Sequence, residues 1–179
     1  MESENNKNIV LVGMPGAGKS YIGNKLAKLL VHFSYVDIDE KIENNEGITI
    51  SEIFENKGEK YFRALEAKVI KEVSKTQNQI ISLGGGAFQS PENITALKYN
   101  GIVFYLKAPI EELYSRIKDE THRPLLSVDS PKEALKKLLR KREKNYLKAH
   151  FVIDTNKKQA YTILDDILKE YENYVKQRT

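Results

Sequence analysis

Gly13-Met14-Pro15-Gly16-Ala17-Gly18-Lys19-Ser20 sits between the apolar run Ile9-Val10-Leu11-Val12 and a stretch with apolar residues at helical spacing, Ile22, Leu26, Leu29 and Leu30. The eight residues fit G-x-x-x-x-G-K-[ST], the phosphate loop that joins a buried strand to a helix. Gly13, Gly16, Ala17 and Gly18 let the backbone wrap close to phosphate oxygens, so that successive N–H groups and the positive end of the helix face the anion. Lys19 then reaches the β- and γ-phosphates of a nucleoside triphosphate, and the Ser20 hydroxyl serves as a Mg²⁺ ligand. Tyr21 closes this nucleotide-contacting set. The competing reading, a glycine-rich turn with no ligand, explains the glycines but not the Lys-Ser pair in this context.

From the loop outward, apolar runs alternate with helical patterns. Strands are predicted at Ile9–Val12, Phe33–Asp37, Gln79–Leu83, Ile102–Leu106 and Phe151–Asp154. Helices are predicted over Tyr21–Leu30, Glu40–Asn44 (capped by Asp39), Thr49 or Ser51 to Phe54 and Tyr61–Val73, with Lys57-Gly58 as a break. Further helices begin at Pro91, Pro109 and Pro131, and Tyr161–Val175 closes the chain. Five short apolar runs separated by helices predict a three-layer α/β/α sandwich around a five-stranded parallel sheet. Ligands of such sheets lie beyond the carboxyl ends of the strands, which puts the phosphate loop, Asp37/Asp39 and Gly84-Gly85-Gly86 on one rim.

The 179 residues suit one substantial core, with residues 1–7 expected as a disordered segment and 8–179 as a single domain. A net charge of +4 invites a nucleic-acid surface, above all at Lys136–Arg142. The acids interspersed with the lysines favour a solvated helix face instead, so no nucleic-acid partner is expected. Zero cysteines exclude disulfides and thiol chemistry. His32, His122 and His150 lack ligand spacing and read as surface or packing residues. The N-terminal apolar run is too short for a membrane span or signal peptide, so the expectation is a cytoplasmic protein with no membrane partner.

Other candidate site residues each carry two readings. Asp37 and Asp39, two apart in an extended segment, either cap a helix and meet solvent or hold Mg²⁺ and an attacking hydroxyl. Arg63 and Glu66, three apart on a helix, are either a surface pair or an arginine oriented to clamp a carboxylate. The triple glycine is either a tight turn or a place where backbone approaches a ligand. Lys118–Ser130, with Arg123 at its centre, is either a plain loop or a lid that brings an arginine to the transferring phosphoryl group.

In order along the chain stand Gly13-x4-Gly18-Lys19-Ser20, Asp37-x-Asp39, Phe62-Arg63-x2-Glu66, Gly84-Gly85-Gly86, Arg123-Pro124-Leu125-Leu126, and Arg142 with Tyr146 four later. This series, spanning about Asn8 to Thr155, resembles the shikimate kinase family. The resemblance implies a P-loop kinase fold with strand order 2-3-1-4-5. It also implies transfer of the ATP γ-phosphoryl group to the 3-hydroxyl of shikimate, a step of aromatic amino-acid biosynthesis.

By the same resemblance, Lys19, Asp39 and Arg123 are catalytic, with Asp37 holding the metal's water shell. Arg63, Arg142 and the backbone of Gly84, Gly85 and Gly86 bind the acceptor. Phe54 and Phe62 join Ile50, Pro124 and Leu125 in an apolar wall, and Arg116 packs on adenine. The partners implied are shikimate and ATP, acting on a monomer. Departures from the family pattern are Tyr21 in place of a small hydroxyl residue, Lys144 in place of proline, and Asp154 where a basic residue is common. Two other readings are a related small-molecule kinase such as gluconate kinase, which would leave the paired arginines and the triple glycine without a use, and a non-catalytic nucleotide-binding descendant.

Overall fold

The apolar runs pair side by side in a computed structural model that describes residues 6–118 and 130–177. Strands β1 (Asn8–Val12), β2 (Ser34–Asp37), β3 (Gln79–Ser82), β4 (Gly101–Lys107) and β5 (Phe151–Asp154) form one parallel sheet in the order β2-β3-β1-β4-β5. β1 is central, with Ile9 opposite Ile80 on one side and Ile102 on the other. All five of its residues are buried, as a strand covered on both faces requires. Asn8 pins its start: its side chain donates to the Thr76 carbonyl at 2.6 Å and accepts from the Gln79 N–H at 2.9 Å.

The helices are α1 (Lys19–Leu29), α2 (Ile38–Glu46), α3 (Ile50–Val73), α4 (Pro91–Asn100), α5 (Ile110–Ile117), α6 (Pro131–Tyr146) and α7 (Ala160–Lys176). The chain crosses from β1 toward one sheet edge and from β2, β3 and β4 toward the other. Right-handed crossovers therefore put α1 on one face and α3, α4 and α6 on the opposite face. The crossover direction reverses between β1 and its neighbour β3, and ligands of open α/β sheets bind at such a reversal. The loops that leave these two strands are the phosphate loop and the triple glycine.

Four expectations are corrected. The cap of α2 is Asp37, whose carboxylate accepts from the N–H groups of Asp39 and Glu40. Asp39 lies in the first helical turn rather than in an extended segment. The break foreseen at Lys57-Gly58 is confined to Gly58, whose φ of 78° and ψ of 169° suit only glycine, and helix resumes at once on both sides of it within α3. A short 3₁₀ turn, Ala87–Gln89, follows the triple glycine and was not foreseen. Asn6 and Lys7, expected to be disordered, are tied to the body: Asn6 exchanges bonds with Asn78, and the Lys7 carbonyl accepts from the Tyr171 hydroxyl at 2.9 Å. The core on the two faces of the sheet draws on Leu26, Ile42, Val69, Ile70, Leu97, Leu113 and Ile167, each contributing about 1.5–3 kcal/mol by burial.

Candidate active site

The phosphate loop leaves β1 through Gly13, whose φ of 148° and close approach to the Leu106 carbonyl exclude a side chain. Gly18, left-handed at φ 86°, stands at the N-cap of α1, so the helix starts within the motif at Lys19. Lys19 Nζ donates to the carbonyls of Gly13 (3.1 Å) and Met14 (3.0 Å), holding the amine across the loop. The Ala17 N–H is spent on the Met14 carbonyl at 3.1 Å, and Ala17 is buried. Gly13 and Ala17 thus shape the loop from below. Gly16, Gly18, Lys19, Ser20 and Tyr21 line a cleft of about 330 Å³, whose other walls are Asp37, Asp39, Gly84, Gly85 and Arg116.

Ser20 Oγ donates to Asp37 Oδ2 at 3.0 Å, and the Tyr35 hydroxyl donates to the same oxygen at 3.1 Å. A hydroxyl and a carboxylate oxygen beside a triphosphate cradle suit Mg²⁺, which takes hard oxygen ligands and few carboxylates. Tyr21 is 59% exposed and carries Lys25 Nζ 5.0 Å over its ring, so its bulk stays outside the phosphate cradle. Arg116 Nη2 pairs with Glu112 at 2.7 Å while Nη1 donates to the Gly16 carbonyl at 3.2 Å. It is thereby fixed at the rim of the cleft. Asp154 accepts from the Asn156 N–H at 2.9 Å at the end of β5.

Asp39 sits deeper. Burial, and next to it the charges of Asp37 and Glu66, push its carboxyl up to about 6; Lys19 and Arg63 pull the other way. Arg63 Nη1 donates to Glu66 at 2.8 Å, its Nε faces Glu59 at 3.4 Å, and its guanidinium lies 5.0 Å over the Phe62 ring. Glu66 is only 2% exposed, so this is a buried anchor rather than a surface pair. Burial also pushes Glu66 upward, against the pull of Arg63 and Arg142. Phe54 and Phe62 meet at 4.8 Å between ring centroids, with Ile50 and Phe54 half-buried beside the core.

The three glycines make room for three different side chains. A Cβ at Gly84 would lie 2.6 Å from Asp39 Oδ1, one at Gly85 3.0 Å from Arg142 Nη1, and one at Gly86 2.7 Å from Arg63 Nη2. Turn and ligand-approach readings of this segment are thus joined by a third: the missing side chains let an acid and two arginines close on one ridge. On its far side a second cleft of about 620 Å³ separates α3 from α6, lined in part by Arg63, Gly86, Arg142 and Lys144. Lys144 continues α6 where the family pattern has proline. α6 is held to the ridge by Asn145, which donates to Gln89 Oε1 at 2.9 Å, and by Tyr146, whose hydroxyl donates to the Gly85 carbonyl. Gln89 and Asn145 carry no motif signal of their own; Arg142, assigned to the acceptor by the family resemblance, is what brings the end of α6 to the rim. Arg123, Pro124, Leu125 and the lid expected over 118–130 lie outside the described residues, apart from the two end positions.

A family model described as Shikimate kinase matches residues 15–172. A shikimate kinase of Thermodesulfovibrio yellowstonii is 44% identical over 166 residues, covering 93% of this chain and 95% of the relative. A shikimate kinase structure from Acinetobacter baumannii, in complex with shikimate, superposes with a TM-score of 0.90 at 38% identity over 96% of both chains. A gluconokinase from Sinorhizobium meliloti reaches a TM-score of 0.62 at 16% identity, a likeness of fold alone, over 99% of this chain and 100% of that one.

Proposed function

The chain belongs to the shikimate kinase family, and from that premise we propose that it transfers the γ-phosphoryl group of ATP to the 3-hydroxyl of shikimate, with Asp39 as the general base on the acceptor side. The observation that carries the residue assignment is the ridge of Gly84–Gly86, where Asp39, Arg142 and Arg63 each approach a different glycine.

Shikimate is a small carboxylate with three hydroxyls. Arg63, braced by buried Glu66, and Arg142 grip the carboxylate, since a guanidinium fork matches its two oxygens. Gripping one end fixes the ring, and that positioning lowers the barrier of a reaction with little covalent work for the protein to do. Asp39 orients the 3-hydroxyl and accepts its proton as the oxygen bonds to phosphorus; ADP leaves with the former β–γ bridging oxygen. A carboxyl pushed up to about 6 is ionised at neutral pH yet more basic than an exposed aspartate, as a general base should be. Lys19 swings from the loop carbonyls to the β- and γ-phosphates, and Arg123 joins the transferring group from the lid. Ser20 and Asp37 would hold Mg²⁺, which when bound neutralises charge on the phosphates.

The reading extends to a monomeric cytoplasmic enzyme without nucleic-acid partners. No helix among the described residues is long and apolar enough to cross a membrane. Sedimentation at working concentration tests the monomer.

The test of function is ADP release coupled to NADH oxidation, with and without shikimate, with gluconate and nucleoside monophosphates as competing acceptors. Shikimate-dependent release is expected. Equal turnover on gluconate, or release indifferent to shikimate, would overturn the assignment. Asp39→Asn should abolish transfer while ATP still binds; near-normal turnover in that variant removes Asp39 from its role.

A further inference from the structure

Tyr146 is fully buried at the end of α6, one turn beyond Arg142, with its ring stacked on Tyr105 at 5.1 Å and 26° between planes. Its hydroxyl donates to the Gly85 carbonyl and lies 4.0 Å from Met14 Sδ of the phosphate loop. Burial pushes the phenol up to about 12, so it is a proton donor throughout the working range. The bond falls on the peptide between Gly85 and Gly86. A peptide flanked by two glycines rotates at little steric cost, because neither side has a Cβ to oppose it. The turn's own bonds, Ala87 N–H to the Gly84 carbonyl and Gln89 N–H to the Gly86 carbonyl, both 3.1 Å, leave that peptide's carbonyl and N–H unused.

A trans peptide is planar, with carbonyl and N–H pointing in opposite directions. A carbonyl held on Tyr146 therefore turns the Gly86 N–H away from that ring, on the ridge whose glycines lie beside Arg63 and Arg142. Rotated the other way, the same peptide would offer an oxygen to a carboxylate and repel it. We propose that Tyr146 is a positioning residue whose hydroxyl locks the Gly85–Gly86 peptide, so that the Gly86 N–H serves the acceptor beside the two arginines. This rests on the acceptor reading above.

Tyr146→Phe keeps the ring stack and removes the hydroxyl, and with it the lock on Gly85 and the contact with Arg142. It should raise the KM for shikimate about tenfold, the consequence of one lost hydrogen bond and a misdirected peptide, with the KM for ATP unchanged. Tyr105→Phe, which takes a hydroxyl from the other ring of the stack, should leave both constants as they are. An unchanged shikimate KM in Tyr146→Phe overturns the proposal, even with a lowered Tm, because that pattern marks a packing role alone. An equal rise in both constants overturns it too. If the variant does not fold, the wild-type amide spectrum decides: shikimate should move the Gly86 cross-peak downfield, and an unmoved peak is fatal. A wild type that fails to phosphorylate shikimate strikes the functional reading instead, so the two failures are separable.

Discussion

Asp39 carries the sharpest chemical expectation. Its carboxyl, raised to about 6 chiefly by burial, must be ionised to take the acceptor's proton. At saturating MgATP, kcat/KM for shikimate should therefore fall about tenfold per pH unit below roughly pH 6 and level off above about 7. A profile flat between pH 5 and 8 would contradict the assignment. Arg63→Ala should raise the KM for shikimate by about 10- to 100-fold, since a charge-assisted contact is lost and Glu66 is left buried beside the site. Titration calorimetry of shikimate onto the variant checks it. Both residues were legible in sequence as types at the right spacing. What sequence could not give is how they are presented. Asp-x-Asp reads equally well as an extended pair, and only the cap formed by Asp37 rolls Asp39 into a helix and into the cleft.

Among the elements, strands were easier to read than helix ends. A strand buried on both faces is an apolar run with nothing to confuse it, whereas helix starts depend on which polar group caps them. Thr49 and Glu52 form a reciprocal capping box, which fixes the start of α3 at Ile50. Gly58 was legible as a break because it is glycine. Its ψ of 169°, with helix continuing on either side, leaves no mark on local sequence. Gly58→Ala should cost about 1–3 kcal/mol of stability in urea unfolding, because the left-handed position penalises any Cβ although nothing stands within contact distance of one. A variant as stable as the parent would mean the break relaxes freely. The 3₁₀ turn at Ala87–Gln89 escaped prediction because three residues show no periodicity.

Taken together, the fold works by reversing its winding direction between β1 and β3, so that the donor loop and the acceptor ridge open side by side from neighbouring strands. The parallel sheet and this rim could be inferred from alternation alone; the strand order came from the family resemblance. Stability feels the site as well. An acid with a native value near 6 and an unfolded value of 3.8 binds more protons when folded, so its contribution falls as pH rises between those values and stays lost above about 7. Asp39→Asn removes that burden and should raise stability at pH 8 by the order of 1–3 kcal/mol, with less gain at pH 4. Chemical unfolding at the two pH values decides; equal shifts would show that the ionised carboxylate is not strained by its surroundings.

The glycine ridge has a consequence for how this enzyme can change. At Gly84 and Gly86 the nearest atoms an added methyl meets are the movable ends of Asp39 and Arg63. Folding can give way there and catalysis cannot. Saturation mutagenesis should therefore return folded proteins with many residues at these two positions but active ones with glycine alone. An inhibitor resting on that backbone would face a surface with no resistant substitution that keeps the enzyme working.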